Sequence, residues 1–256
     1  GYSYFGARYY DSELSIWLSV DPMSDKYPSL TPYNYCAGNP MILVDPNGEE
    51  IWIAGGDGNS YRYENGKLFN KDGSEFTGER TGFLGKTTAA LDKLSGTKMG
   101  SKLIGALQSN KNYKLDINSS TSSQFSPTGK EFETGNATNG LLAWNSNTSG
   151  GVPVEGNQYG CTDATIALGH ELSHAYDNMC NVPDAIIHDK YNKELIKGEW
   201  AAVYRENAIR NELKFPLRTH YAKDGNAPPG QVIGSGPAML DKNHKPYLPF
   251  LYPNIR

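Results

Sequence analysis

The chain has 256 residues, a formal charge of −4 and a sequence pI near 5.8. That length suits one substantial core or two smaller units, and the mildly acidic balance gives no footprint of a nucleic-acid or membrane-surface binder. No apolar run reaches the ~18 residues needed to span a bilayer, and no charged start with an apolar core marks a signal peptide. With 28 Gly, 15 Pro and 17 Tyr against 8 Phe, the composition points to a turn-rich chain rather than a helix bundle. The first residue is Gly, so the chain reads as a fragment or processed product with any export signal upstream.

Residues 1–50 alternate short aromatic runs with Pro and Gly turns, which predicts short strands with too little aliphatic content for a core of their own. Residues 51–80 read as a β-hairpin connector. Ile51-Trp52-Ile53 and Tyr61-Arg62-Tyr63 are strand-like, and Asn65-Gly66 is the strongest short hairpin signal in the chain. Residues 81–256 read as the principal domain. From about Gly82 to Gln108 the apolar spacing predicts two helices broken near Gly96, followed by a strand over Tyr113 to Ile117. Residues 118–139 and 146–160 are polar and Gly-rich, hence loops, with a short strand over Leu141 to Asn145 between them. That strand is assigned as the sheet edge able to receive an extended peptide, with a plain core strand as the alternative. Six prolines in residues 222–256 suit an extended wrap over the domain or a flexible end.

The chemistry is concentrated in His170-Glu171-Leu172-Ser173-His174. Residues four apart share a helical face, so His170 and His174 can point two imidazoles at one zinc ion. Glu171, about 100° further round, can reach a water at that ion as a general base. The helix is expected to begin after Thr162 or Asp163 and to run to about Asn178. Measured from His170, Leu168, Leu172, Ala175 and Met179 fall at roughly 140–200°, an apolar stripe opposite the histidines.

Of the three cysteines, Cys36, Cys161 and Cys180, the last two flank this helix. A continuous helix would hold them roughly 28 Å apart, far beyond disulfide reach, so no bridge between them is expected.

A catalytic zinc needs a third protein ligand and an open position. A His six residues after His174 would fall at Cys180, and Asp177 stands where a Gly would be required, so the metzincin arrangement fails. His188, Asp184 and Asp189 are weaker candidates in a predicted loop. A helix starting after Gly198 carries Glu199 and Glu206 on one partly apolar face, and a buried carboxylate there needs a cation or a metal. Glu206 has Arg210 four residues on. Glu199 has no such partner and is the preferred third ligand, with Glu206 the alternative. Seven residues set the two ~10 Å apart along the axis, so both cannot bind.

Two resemblances extend this reading. Residues 1–50 resemble the C-terminal end of the Rhs-repeat-associated core, on Tyr4 to Tyr10, Ser19-Val20-Asp21-Pro22, Tyr33-Asn34-Tyr35-Cys36 and Asp45-Pro46-Asn47-Gly48. In that family the core closes a large β-shell followed by a variable toxin domain. The resemblance therefore implies a secreted effector delivered into a target cell, partnered by its own Rhs shell and a cognate immunity protein. His170 to Tyr176, Glu199-x-x-Ala202-Val203, Glu206-Asn207-x-Ile209-Arg210 and Pro216-Leu217-Arg218-x-x-Tyr221 resemble the NleD-like effector metallopeptidases over roughly residues 85–225. That likeness implies an α+β, zincin-like fold and a gluzincin-type zinc site that cleaves proteins. Arg218 and Tyr221 also look like the Arg and Tyr of clostridial neurotoxin proteases, which face the scissile carbonyl. The expectation is a zinc metalloendopeptidase with His170, His174 and Glu199 as ligands, Glu171 as base, and Arg218 and Tyr221 at the oxyanion. Its rival is a toxin tip that acts by binding, with the zinc structural.

Overall fold

The computed structural model describes residues 2–4, 9–11, 16–17, 50–110, 113–128, 139–147, 149–156, 158–182, 185–188, 194–228 and 231–250. The chain divides into two compact units, Gly1–Gly48 and Glu49–Arg256. In the first, β1 (Tyr2–Tyr4), β2 (Tyr9–Asp11) and β3 (Ile16–Trp17) form an antiparallel sheet in that order. The other motifs of residues 1–49, with Cys36, lie outside the described residues.

The second unit is α+β. Its main sheet contains β4 (Glu50–Ala54), β5 (Ser60–Glu64), β6 (Lys67–Phe69), β7 (Lys114–Ser119), β8 (Gln124–Thr128) and β9 (Asn139–Trp144), in the order β6-β5-β4-β7-β9-β8. β4, β7 and β9 run parallel at the centre and the outer pairs are antiparallel. Asn65 and Gly66 take φ of 48° and 82°, the left-handed pair a two-residue hairpin requires, and Glu64 faces Lys67 across the turn. Residues 51–80 thus supply three of the six strands and belong to the same body as the motif helix.

Of the two readings of the strand over Leu141 to Asn145, the edge role is corrected and the core strand holds. β9, the strand over Leu141 to Asn145, is hydrogen-bonded to β7 on one side and β8 on the other. It has no free edge to offer a peptide; β8 is outermost. The alternation of Gly140, Leu142 and Trp144 inward fits a strand whose one face meets the helices.

The helices lie against that sheet. α1 (Gly82–Ser95) and α2 (Lys98–Gln108) are divided at Gly96, and Thr97 caps α2 by accepting from Gly100 N–H. Leu91, Leu94, Leu103 and Leu107 join Ile51, Ile53, Leu115, Ile117 and Leu142 in one core. α3 (Ala164–Met179) packs into the same core through Ile166, Leu168, Leu172 and Ala175. The segments expected as loops also hold paired strands: β8 lies within 118–139, while β10 (Ser149–Val154) and β11 (Gln158–Thr162) form a hairpin just before α3.

After α3, β12 (Ile186–His188) pairs with β13 (Glu194–Ile196), leading into α4 (Lys197–Glu212). β14 (His220–Lys223) and β15 (Gly234–Ala238) pair antiparallel, and β10 meets the chain before β14 at Val154 and Arg218. The tail therefore wraps in extended form: Met239 N–H donates to Thr219 C=O, and Leu240 faces Pro246. Among the described residues no helix is long and apolar enough to cross a membrane.

Candidate metal centre

α3 is fixed at its start and along one face. Asp163 accepts from Thr165 N–H at 2.8 Å and pairs with Lys93 Nζ at 2.9 Å, so the helix N-terminus is capped and tied to α1. Burial alone would raise this carboxyl, but Lys93 and the Thr165 N–H hold it below its ordinary value. Gly169 allows the close approach of α1 and α4, since a Cβ there would lie 2.9 Å from Ile209 Cδ1 and 3.2 Å from Leu94 Cδ2. Cys180, just past the helix, is a free thiol; burial pushes it up.

The opposite face of α3 meets α4 through polar groups. Arg205 is enclosed and donates from Nη1 to Ser173 Oγ at 2.6 Å and from Nη2 to Asp177 Oδ1 at 2.8 Å. Its guanidinium carbon lies 4.9 Å from the Tyr176 ring centre. This clamp fixes how α3 is rotated against α4, and so where both histidines point.

His170 Nε2, His174 Nε2 and Glu199 Oε2 converge. The two imidazole nitrogens are 3.3 Å apart, and Glu199 Oε2 lies 3.3 Å from one and 3.5 Å from the other. Among the described residues this is the cluster of His, Cys, Asp and Glu able to hold a metal ion. Four-coordinate zinc with bonds of about 2.0–2.1 Å sets its ligand atoms roughly 3.3 Å apart, so the donor set fits zinc in chemistry and spacing. The side chains of His170, His174 and Glu199 retain 13%, 20% and 26% exposure, against 2% for Glu206, so a substrate can reach the triad but not Glu206.

Glu206 reaches the other nitrogen of the same ring, its Oε2 lying 3.0 Å from His170 Nδ1. A carboxylate can only accept, so Nδ1 carries the hydrogen, and in the neutral ring Nε2 is then the nitrogen with a lone pair for a metal. Two residues seven apart on α4 thus both reach His170, on opposite edges of the imidazole. Glu206 is itself held by Arg210 Nε at 2.7 Å and Arg218 Nη1 at 2.8 Å. Burial would raise its pKa, but Arg218, His170 and Arg210 hold it well below the usual carboxylate range. The same opposition lowers Glu199, where His170 and His174 outweigh burial. With protein groups alone, His170 is pushed up to about 9 against its burial by Glu199 and Glu206.

Glu171 follows His170 on α3 and is half-buried. Tyr221 is on β14, and burial with the nearby Glu199 charge pushes its phenol up to about 12. Arg218, expected at the oxyanion, is tied into the protein. Each of its three nitrogens has an acceptor inside the protein: Glu206 for Nη1, Tyr221 C=O for Nη2 and His220 C=O for Nε. Its backbone is fixed too, since Asn207 Oδ1 accepts from Arg218 N–H at 2.7 Å and Asn207 Nδ2 donates to Arg218 C=O at 3.0 Å.

Of the weaker candidates, Asp184 and Asp189 lie outside the described residues, as do the side chains of His188 and Cys161. Sequence reasoning missed the link from Glu206 through Arg218 to Tyr221. Its signal was present in the buried Arg210 and Arg218, which need a shared anion.

No curated protein matches the chain. The model of a family described as "Effector protein", Peptidase_M91, matches residues 70–221, which span α1 to α4 and end at Tyr221. The match covers more than half of the chain and contains both histidines, both glutamates of α4 and the Arg218–Tyr221 segment; the chain belongs to the Peptidase_M91 family of effector proteins.

Proposed function

We propose that the chain is a zinc endopeptidase, delivered as a toxin into target cells and acting there on proteins. The observation that carries this reading is the convergence of His170 Nε2, His174 Nε2 and Glu199 Oε2 within 3.5 Å of one another. A zinc ion held by these three residues supplies Lewis acidity that makes water a nucleophile near neutral pH. Glu171 takes a proton from the attacking water and passes it to the departing amine as the C–N bond breaks. The Tyr221 hydroxyl donates to the oxygen that gains charge in the transition state. Glu206 keeps His170 in the tautomer that presents Nε2. Arg218 holds Glu206 and the Tyr221 backbone together, a positioning role in place of a direct contact with the carbonyl.

The binding-only alternative needs a structural zinc, and such sites are closed by four protein ligands. Three donors with residual exposure favour the catalytic reading. The resemblance of residues 1–50 to the Rhs core, and the separation of residues 1–48 as a compact unit, support delivery from an Rhs shell with a cognate immunity protein.

Mapping of new protein termini in cells expressing wild type or Glu171→Gln tests the proposal. The expected result is a set of cleavages in the wild type that vanishes in Glu171→Gln while zinc content stays the same. Toxicity retained in the zinc-loaded variant would overturn it.

A further inference from the structure

Resting on the proposed role of Tyr221, a second element can be traced into the site. Gly234-Ser235-Gly236-Pro237 lies beyond the family match, which ends at Tyr221. β14 and β15 pair as His220 with Ala238, Ala222 with Ser235 and Lys223 with Gly234. Two steps on β14 therefore oppose three on β15, a bulge whose extra residue falls opposite Tyr221. Within it Gly236 takes φ 77°, a conformation glycine adopts freely and other L-residues adopt at a cost. A Cβ at Gly236 would lie 3.4 Å from Tyr221 Cβ and 4.0 Å from its Cδ1, so the bulge lies directly against the base of the tyrosine. Tyr221 also packs on a small core of Leu195, Trp200, Val203 and Met239. Trp200 and Val203 belong to the helix that presents Glu199, and Met239 is 1% exposed, one residue past β15.

We propose that the Gly236 bulge and Met239 form a positioning element that aims the Tyr221 hydroxyl at the metal centre. A regular β15 would meet β14 without the added twist; a bulge bends its own strand and increases the local twist of the pair, which changes how β15 packs on the side chain opposite. Gly236 sets the direction of Tyr221 from one side, and Met239 closes the apolar pocket around it. The segment following the family match is thus part of the catalytic unit. Neither residue touches substrate; both act through Tyr221.

The test compares Gly236→Ala, Gly236→Asn and Met239→Ala, each in the wild-type and Tyr221→Phe backgrounds of the zinc-loaded full chain. Tyr221→Phe alone should lower kcat on the order of 10²–10³-fold through loss of one oxyanion donor. Gly236→Ala should lower kcat by about tenfold or more through misplacement of that donor, with KM and zinc content unchanged. In the Tyr221→Phe background it should cause no further loss. Gly236→Asn, whose side chain tolerates the left-handed region, should restore most of the rate. Met239→Ala reaches Tyr221 without backbone strain and should show the same dependence on the tyrosine, which serves if Gly236→Ala does not fold. Losses that persist undiminished in Tyr221→Phe would overturn the inference. The ring resonances of Tyr221 in tyrosine-labelled protein are read alongside. If the wild type cleaves no substrate, the peptidase reading fails, and a shift of those resonances in Gly236→Ala or Met239→Ala still decides the positioning claim; unchanged resonances refute it.

Discussion

α3 is held by two unlike surfaces. Toward the sheet, Ile166, Leu168, Leu172 and Ala175 are fully enclosed in an apolar core shared with α1, α2 and the strands. Toward α4, the contacts are largely charged or polar: His170, Ser173, His174 and Asp177 against Glu199, Arg205 and Glu206. Three buried polar atoms among the described residues have no protein partner, Asp177 Oδ2, Trp200 Nε1 and Arg210 Nη2, and all lie on α3 or α4. The first surface is non-directional and sets how deeply the helix is buried. The second is directional and sets its rotation to within hydrogen-bond tolerance, as a three-atom donor cluster requires. A stable helix and an aimed helix have different causes here.

That contrast can be broken from either side. Arg205→Ala removes one partner of an enclosed ion pair and leaves Asp177 and Ser173 uncompensated. A loss of about 3–5 kcal/mol is expected in denaturant unfolding. Arg205→Met with Asp177→Leu should recover much of that stability yet still weaken zinc binding, because packing returns while direction does not. Full recovery of zinc affinity in the double variant would show that apolar packing alone can aim the helix. On the sheet side, Leu172→Ala opens a cavity in a fully enclosed position and should cost about 2–5 kcal/mol. Zinc affinity of the fraction that stays folded should change little, as a competition titration would measure.

The smallest effect is at the cap. Asp163→Ala removes the acceptor for Thr165 N–H and the Lys93 ion pair, worth about 1 kcal/mol. The folded-state pKa of Asp163 lies below its ordinary value of 3.8, so its contribution is full above that pH and is lost as pH falls through the lowered value. Stability curves of wild type and Asp163→Ala should therefore run apart at neutral pH and converge in acid. A constant separation would assign the cap's effect to packing.

Local signals were legible in the sequence, and pairings between distant segments were not. The cap at Asp163, the α1–α2 break at Gly96, the Asn65-Gly66 turn and the apolar stripe of α3 follow from neighbours a few residues apart. β8, β10 and β11 were hidden because their Ser, Thr, Asn and Gly content reads as loop, and only partners elsewhere in the chain make them strands. For the same reason β9 was expected at an edge: parallel pairing with β7 and antiparallel pairing with β8 leave no local trace. At the site, the four-residue spacing of the histidines was sufficient, and the choice between Glu199 and Glu206 was narrowed by asking which carboxylate had a cation. The seven-residue separation leaves only Glu199 in the metal cluster, yet both glutamates reach His170. An imidazole has two nitrogens on opposite edges, and the two glutamates take one each. The link from Arg218 to Tyr221 and the bulge at Gly236 depend on β14 and β15, which no spacing rule reveals.

The division of labour between Glu199 and Glu206 is the most direct point of test. Zinc affinity should be measured by competition against a chromophoric chelator for wild type, Glu199→Gln and Glu206→Gln at one pH. With Glu199 as ligand and Glu206 as support for His170, Glu206→Gln should weaken zinc about 10–100-fold, and Glu199→Gln should weaken it further by removing a donor. Equal or stronger weakening in Glu206→Gln, with zinc retained in Glu199→Gln, would contradict the account.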